Sequence, residues 1–178
     1  MALDLRPLGK LLLRSLRALG GNTTKPAAPT ASTRQPGGQA AVERQQGSYP
    51  GDFAGRAKLR YSPKPDGQPD PGEIVWGWVP FEEDHSRGKD RPVLLVGHDG
   101  PWLLGLMLTS KDHDNGFRSE DYVDVGAGPW DRQGRPSEAK LDRVIRLDPT
   151  SVRREGAVLS QSRFREVARA LQAHHGWS

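Results

Sequence analysis

Residues 71–114 carry the densest apolar patterning of the chain and constrain its fold most strongly. Within them, residues 73–81 are β-branched and aromatic, and residues 92–97 and 102–109 form two nearly continuous apolar runs. Such runs predict three strands. About 40 residues hold all three, which leaves no room for a crossover helix between parallel strands. We therefore expect an antiparallel meander.

Further strands follow this meander. Residues 122–125 and 139–147 alternate between apolar and polar side chains, which is typical of half-buried strands. Residues 153–159 are compatible with a turn or a short strand. Five or so antiparallel strands predict a small, strongly bent sheet or a partly closed barrel.

The C-terminal segment has the pattern of an α-helix. The apolar residues of 164–171 recur at steps of three and four. Ser160 or Ser162 is available as the N-cap, and Gly176 follows the end. The predicted fold class is therefore mainly β, with a C-terminal α-helix.

The composition changes before residue 71. The hydrophobic fraction of the whole chain is 34%, and the 21 glycines and 15 prolines indicate an unstructured part. Residues 20–70 hold few large apolar side chains to offset their ordering entropy. We predict a disordered linker over 20–70 and a barrel domain over 71–176. The linker's second half could contact the domain through Tyr49, Phe53, Leu59 and Tyr61.

Residues 1–19 form a separate segment, predicted to be an amphipathic basic helix. Leucines recur along residues 2–19 at helical spacing. Lys10, Arg14 and Arg17 interrupt them, so the segment is neither a membrane span nor a secretory signal. Three roles remain open: contact with an anionic membrane surface, docking to a partner or to the barrel, or none. We expect a cytoplasmic protein.

Several kinds of chemistry are excluded or disfavoured. The chain has no cysteine, which excludes disulfides, thiolate metal sites and cysteine nucleophiles. Common catalytic motifs such as G-x-S-x-G, H-E-x-x-H and the P-loop do not occur. Asp112-His113-Asp114 resembles a metal cluster, but consecutive side chains diverge and no further ligands have supporting spacing. We predict a solvated loop there, no metal and no cofactor.

The charge is compatible with nucleic acid. The net charge is +4, and most of the 26 basic residues are arginine, whose planar fork suits phosphates and base edges. A genome rich in arginine codons would explain the same composition.

Two points of the meander could form a phosphodiester site. Arg91 precedes a rigid proline at the start of the second predicted strand, and Thr109 and Ser110 end the third. RNA cleavage by the substrate's own 2′-hydroxyl needs no metal, only positioning, proton transfer and stabilisation of charge on the phosphorane. The alternative is structural. Arg91 would then pair with a nearby carboxylate, and Thr109 would be an ordinary strand residue. The candidate carboxylates are Glu82, Glu83 and Asp84.

Three motifs in order resemble a known family. They are Gly72-Glu73-Ile74-Val75-Trp76, Gly88-Lys89-Asp90-Arg91-Pro92-Val93-Leu94-Leu95-Val96 and Leu108-Thr109-Ser110. This set resembles the MazF/PemK (also Kid) toxins of bacterial toxin–antitoxin modules. Leu141-Asp142-Arg143-Val144-Ile145-Arg146 resembles the later strand of that family. The resemblance covers about residues 71–174.

The resemblance implies an SH3-like barrel, a homodimer and a metal-independent endoribonuclease that cuts single-stranded RNA at short sequences. It places the catalytic arginine on Arg91 and the catalytic threonine on Thr109, with Ser110 as a secondary contact. It also implies a cognate antitoxin whose acidic, extended tail covers the site.

The chain departs from the family pattern at residues 84–87. Either His85 transfers a proton here, since histidine titrates near neutral pH, or the loop only shapes RNA specificity. We expect RNA contacts in the loops 82–90, 111–119 and 126–137. The individual RNA-binding candidates are Arg87, Lys89, Lys111, Trp102 and Trp130, where the tryptophans could stack on bases or simply pack.

Two other functions compete with the ribonuclease. One is a non-catalytic SH3-like module that binds a peptide or nucleic acid, and the other is a gyrase-directed toxin of the same fold. Neither needs Arg91 together with Thr109, so this pair favours the ribonuclease.

Overall fold

The computed structural model describes residues 49–113 and 119–177. The predicted helix of residues 1–19 lies outside them. The single α-helix of the described part is too short and too polar to cross a membrane. The strands and this helix are β1 Glu73–Pro80, β2 Gly88–Asp99, β3 Trp102–Thr109, β4 Tyr122–Gly126, β5 Ser137–Lys140, β6 Ile145–Leu147, β7 Arg153–Val158 and α1 Gln161–His175.

The strands form one antiparallel sheet that curls because β3 is a branch point. The strand order is β4-β5-β3-β2-β1-β7, and β6 also pairs with β3. One edge of β3 holds β2, while its other edge holds β6 near the start and β5 at the end. The prediction of a mainly β, partly closed antiparallel barrel with a C-terminal helix is confirmed.

The central strands are buried on both faces. Ile74, Leu94 and Leu106 belong to one core cluster, which also receives the apolar face of α1. Val75 and Val93 alternate with them and belong to a second cluster. Each such side chain contributes roughly 1.5–3 kcal/mol when fully buried. Burial on both faces explains why residues 92–97 are continuously apolar.

Local signals at the ends of α1 act as predicted. The Ser160 side chain accepts a hydrogen bond from the Arg163 backbone N–H at 3.4 Å. Gly176 adopts φ of 62°, a left-handed conformation that glycine reaches without strain. Ser160 is therefore the N-cap, and Gly176 ends the helix.

Strand β2 begins at Gly88, four residues earlier than predicted, so Arg91 lies inside a strand rather than before one. Lys89 and Asp90 pair with Val79 and Trp78 of β1. A backbone ladder accepts charged side chains where one face meets solvent. Gly88 is needed there, because a Cβ atom would lie 2.4 Å from the Val79 carbonyl oxygen.

The single strand predicted over residues 139–147 is wrong, because two strands, β5 and β6, replace it. Leu141 and Val144 both enter the first core cluster. Their spacing of three breaks the two-residue period of a strand, so the chain must turn between them.

Residues 49–70, which we assigned to a disordered linker, pack on the barrel instead. The Phe53 N–H donates to the Val144 carbonyl at 2.7 Å, and the Arg60 N–H donates to the Val96 carbonyl at 3.2 Å. Phe53, Leu59 and Tyr61 contact the first core cluster. Apolar side chains spaced along a polar segment are enough to attach it.

Candidate functional site

A cleft opens where β2 and β3 stop pairing. Their last pair on this side is Val93 with Met107. Continuing the same register by two residues places Arg91 opposite Thr109, and residues opposite each other in an antiparallel ladder share one face. Pro92 has no N–H to donate, which fits the end of the ladder here. The cleft has a volume of about 480 Å³.

The lining of the cleft is strongly cationic. It contains five cationic residues and two carboxylates. The cations are Arg91, Lys111, Arg132, Arg135 and Arg153, and the carboxylates are Asp90 and Asp131. The cations outnumber the carboxylates, and a concave surface with an excess of positive charge attracts polyanions.

Arg91 has its guanidinium available. Within residues 49–113 and 119–177, no carboxylate lies within ion-pair distance of Arg91. The carboxylates considered as partners are engaged elsewhere or exposed. Asp84 accepts hydrogen bonds from the Ser86 N–H and O–H, which lower the pKa of that carboxyl. The structural interpretation of Arg91 as an ion-pair partner of this loop is therefore not observed.

Thr109 lies at the opposite wall with Ser110 and Lys111. Its side-chain oxygen accepts a hydrogen bond from the Lys111 N–H at 3.2 Å. That bond uses an acceptor site and leaves the hydroxyl proton of Thr109 for another partner. The same bond shapes the turn that presents Ser110 and Lys111 to the cleft, where all three line the wall.

A buried carboxylate supports this turn. Glu138, on β5, pairs with Thr109 of β3 and is 9% exposed. It accepts hydrogen bonds from the His113 N–H at 3.3 Å and from His113 Nδ1 at 2.7 Å. The His113 ring stacks on Tyr122 with 3.8 Å between centroids, and burial raises the pKa of Tyr122.

The prediction of a solvated loop is therefore wrong at His113, which is held between Glu138 and Tyr122. Asp114 lies outside the described residues. Within the described ranges, no three histidine or carboxylate side chains are grouped as metal ligands would be.

The β1–β2 loop does not reach the cleft. His85 is exposed and meets the Tyr49 ring edge-on, with 5.1 Å between centroids. Arg87 and Lys89 each lie 5.8 Å from the centroid of the Phe81 ring. These three predicted RNA or proton-transfer residues are absent from the lining of the cleft among the described residues.

The two candidate tryptophans differ in position. Trp102 begins β3, at the opposite end from Thr109, and pairs with Asp99 beside the β2–β3 turn. Trp130 does line the cleft, but it is 4% exposed and donates its indole N–H to the Ser137 hydroxyl at 3.1 Å. Its ring is a packing element rather than a free stacking surface.

Three arginines of the cleft were not named individually from the sequence, although two of them lie in the loop 126–137 that was predicted to contact RNA. Arg132 and Arg135 lie on the β4–β5 loop, and Arg153 begins β7 and pairs with Asp90. Arg153 reaches the cleft because β7 pairs with β1, where Arg153 lies opposite Trp76. The Arg153-Arg154 doublet was the only local signal, and it does not reveal that pairing.

A model of the family described as PemK-like, MazF-like toxin of type II toxin–antitoxin system matches residues 70–175, which is more than half of the chain. The chain belongs to this toxin family. The resemblance of its three motifs is thereby confirmed, and the segment 49–69 lies outside the match.

Solved structures of MazF proteins are similar to this toxin. A crystal structure of MazE–MazF (Form-II) from Deinococcus radiodurans has 22% identity and a TM-score of 0.46, covering 64% of this chain and 100% of that one. A MazF structure (Form-I) from the same organism has 21% identity and a TM-score of 0.46, covering 62% of this chain and 99% of that one. No curated protein matches this toxin.

Proposed function

We propose that this toxin is a metal-independent endoribonuclease that cleaves single-stranded RNA at short sequences. One observation carries the proposal: Arg91, which has no ion-pair partner among residues 49–113 and 119–177, lines the same cationic cleft as Thr109, and the register of β2 and β3 continued by two residues places the two opposite each other. Membership of the toxin family supports it, since RNA cleavage is what the family resemblance implies. A binding module would not require this pair of residues at facing positions.

The reaction uses the RNA's own nucleophile. The 2′-oxygen attacks the adjacent phosphorus, and the bond from phosphorus to the 5′-oxygen of the next nucleotide breaks. The 2′-hydroxyl loses its proton and the leaving 5′-oxygen gains one, which leaves a 2′,3′-cyclic phosphate and a 5′-hydroxyl. Atoms balance without water or metal. The protein's task is to align the three atoms and to stabilise the extra negative charge.

Arg91 supplies that stabilisation. A guanidinium donates two parallel hydrogen bonds to phosphate oxygens, and its charge opposes the charge that develops there. Because Arg91 is fixed in a paired strand, its side chain starts from a defined backbone position. Electrostatic groups that are already in place need no reorganisation when the charge forms.

Thr109 positions the substrate. Its free hydroxyl proton can bond a phosphate or ribose oxygen, while the Lys111 N–H holds its oxygen in place. Ser110 and Lys111 add a donor and a charge on the same wall. His85 takes no part in this scheme, because the β1–β2 loop does not line the cleft, and we assign this loop to RNA contacts outside the cleft.

The positive charge of the cleft also indicates which partners bind there. A cleft with five cations attracts RNA and equally an acidic, extended antitoxin tail, which would block RNA by occupying it. Membership of a type II toxin–antitoxin family supports such a partner. We also propose a homodimer that acts in the cytoplasm.

Incubation of the purified protein with a panel of single-stranded RNAs in EDTA tests this function. Cleavage that leaves 2′,3′-cyclic phosphate and 5′-hydroxyl ends is expected. RNA that is bound but left intact would point to the non-catalytic module, and inhibition of DNA gyrase with intact RNA would point to the gyrase-directed toxin.

A further inference from the structure

The β4–β5 loop forms a rigid platform, residues 128–135, beside the cleft. Trp130 anchors it from below, buried and hydrogen-bonded to Ser137. Gly128 permits this anchor, because a Cβ atom there would lie 2.0 Å from the Trp130 ring. No side chain other than hydrogen fits at that position without moving the tryptophan.

Asp131 holds the platform together through hydrogen bonds to other residues of the same loop. Its carboxylate accepts hydrogen bonds from the Gln133 N–H at 2.8 Å and from Arg135 Nε at 2.7 Å. These bonds lower the pKa of the Asp131 carboxyl, the one from Arg135 most. Its backbone carbonyl accepts from the Gly134 N–H at 2.8 Å, and its N–H donates to the Gly128 carbonyl at 3.1 Å. The platform thus holds its shape by internal bonds.

Two side chains of this platform remain uncommitted. Arg132 and Gln133 are exposed, both line the cleft, and neither side chain bonds to any residue in the described ranges. Every other polar side chain of the platform is used to hold it together. Asp131 and Arg135 also line the cleft, but they bond to each other, so Arg132 and Gln133 are the polar side chains of this rigid loop that are left to contact a ligand there.

We propose that Arg132 and Gln133 form a subsite for the nucleotide next to the cleavage point, with Arg132 on its phosphate and Gln133 on its base. This inference rests on the proposed function, because it takes RNA as the ligand. A guanidinium suits a phosphate. A glutamine amide bonds base edges and fits adenine best, since it matches the paired donor and acceptor of that base.

The two residues should have different effects: Arg132 on the affinity for RNA, and Gln133 on the choice of RNA sequence. A phosphate contact is the same for every sequence, whereas a base contact distinguishes one base from another. Loss of Arg132 therefore weakens binding of all RNAs alike, and loss of Gln133 flattens the preference at one position. Arg91 and Thr109 act on the reacting phosphate and remain in place in both variants.

Binding of short 2′-O-methyl RNAs, which cannot be cleaved, tests the subsite by fluorescence anisotropy over a range of salt. We expect Arg132→Gln to bind on the order of tenfold more weakly and its salt dependence to fall by about one phosphate contact. We expect Gln133→Ala to lose the preference for adenine at one position. Arg165→Gln, an exposed arginine on α1, is the matched control and is expected to bind like the wild type.

Equal affinity and salt slope in Arg132→Gln and Arg165→Gln would overturn the proposal, as would a wild-type protein that binds none of these RNAs. A wild type that binds the analogues but leaves cleavable RNA intact would contradict the proposed ribonuclease instead. The subsite would then still be supported by the loss of binding in Arg132→Gln.

Discussion

Arg91 on β2 and Thr109 on β3 hold opposite positions in the strand register, two residues beyond the last pair that joins these strands, and both line the cleft. The ladder holds the two strands in register up to Val93 and Met107, so the positions of both residues are set by a rigid sheet. Past that pair the strands separate and leave space for a ligand between them. Sites built on strands hold their groups more accurately than sites built on loops.

The Glu138–His113 pair supports the Thr109 wall, and its loss should reduce activity. We expect Glu138→Gln to lower the free energy of unfolding by about 1–2 kcal/mol, because a buried charge-assisted bond is weakened. We also expect kcat for RNA cleavage to fall on the order of tenfold, since small misplacements of catalytic groups are costly. Glu120→Gln, at an exposed carboxylate, is the control. An unchanged kcat in Glu138→Gln would show that the Glu138–His113 pair does not support the Thr109 wall during catalysis.

Phe53 attaches the segment 49–70 to the barrel. Its ring packs against the first core cluster, meets Trp177 edge-on and lies 5.2 Å from the Arg146 guanidinium. Because the ring is only partly buried, we expect Phe53→Ala to cost about 2 kcal/mol, less than a fully buried phenylalanine. Urea denaturation measures this. Arg56→Ala, in the same segment but exposed, should change stability by less than about 0.5 kcal/mol. Equal effects of the two variants would show that the segment is not anchored by Phe53.

Asp52 makes the attachment of this segment dependent on pH. Burial opposes ionisation of Asp52, but hydrogen bonds from Arg143 and Tyr49 outweigh it and hold the pKa of that carboxyl below its ordinary value of 3.8. Because the pKa of Asp52 is lower in the folded state, its ionised form stabilises the fold at pH values above the ordinary pKa. This stability is lost as the pH falls through the folded pKa. The same carboxylate and burial raise the pKa of Tyr49.

Unfolding measurements on the wild type and Asp52→Asn between about pH 7 and pH 3 test this linkage. The wild type is expected to be more stable near neutral pH, and the difference should shrink below pH 3.8. A difference that stays constant over this range would show that the Asp52 charge contributes nothing.

Local patterns predicted the frame of this molecule well. The β-branched and aromatic residues of 73–81, the apolar run over 92–97, and the serine and glycine at the ends of α1 are each encoded within a few residues. Such signals do not depend on contacts with distant residues. That Arg91 and Thr109 lie near each other was also predictable from the meander, but their exact register was not, because a bulge between Leu95 and Gly97 shifts the pairing of β2 with β3 by one residue.

The remaining features depend on contacts between distant parts of the chain. Residues 49–70 have the polar composition of a linker, and they are attached by contacts with residues far along the chain, such as the hydrogen bond from the Phe53 N–H to the Val144 carbonyl and the ring contact of Phe53 with Trp177. Arg153 joins the cleft through a strand pair with β1, about 80 residues away in sequence. For Trp130 the sequence left stacking on bases and packing both open, and its surroundings decide for packing. Local sequence suggested some of these contacts as alternatives, but only the folded sheet decides between them.

The most direct test compares RNA cleavage in EDTA by the wild type, Arg91→Ala and Thr109→Ala, after their melting temperatures show that all three are folded. The proposed mechanism predicts that the wild type cuts single-stranded RNA and leaves 2′,3′-cyclic phosphate ends. It predicts a loss of at least about a hundredfold in each variant, as is typical when a group that stabilises transition-state charge is removed. Cleavage by either folded variant at the wild-type rate would contradict the central claim that these two facing residues carry the reaction.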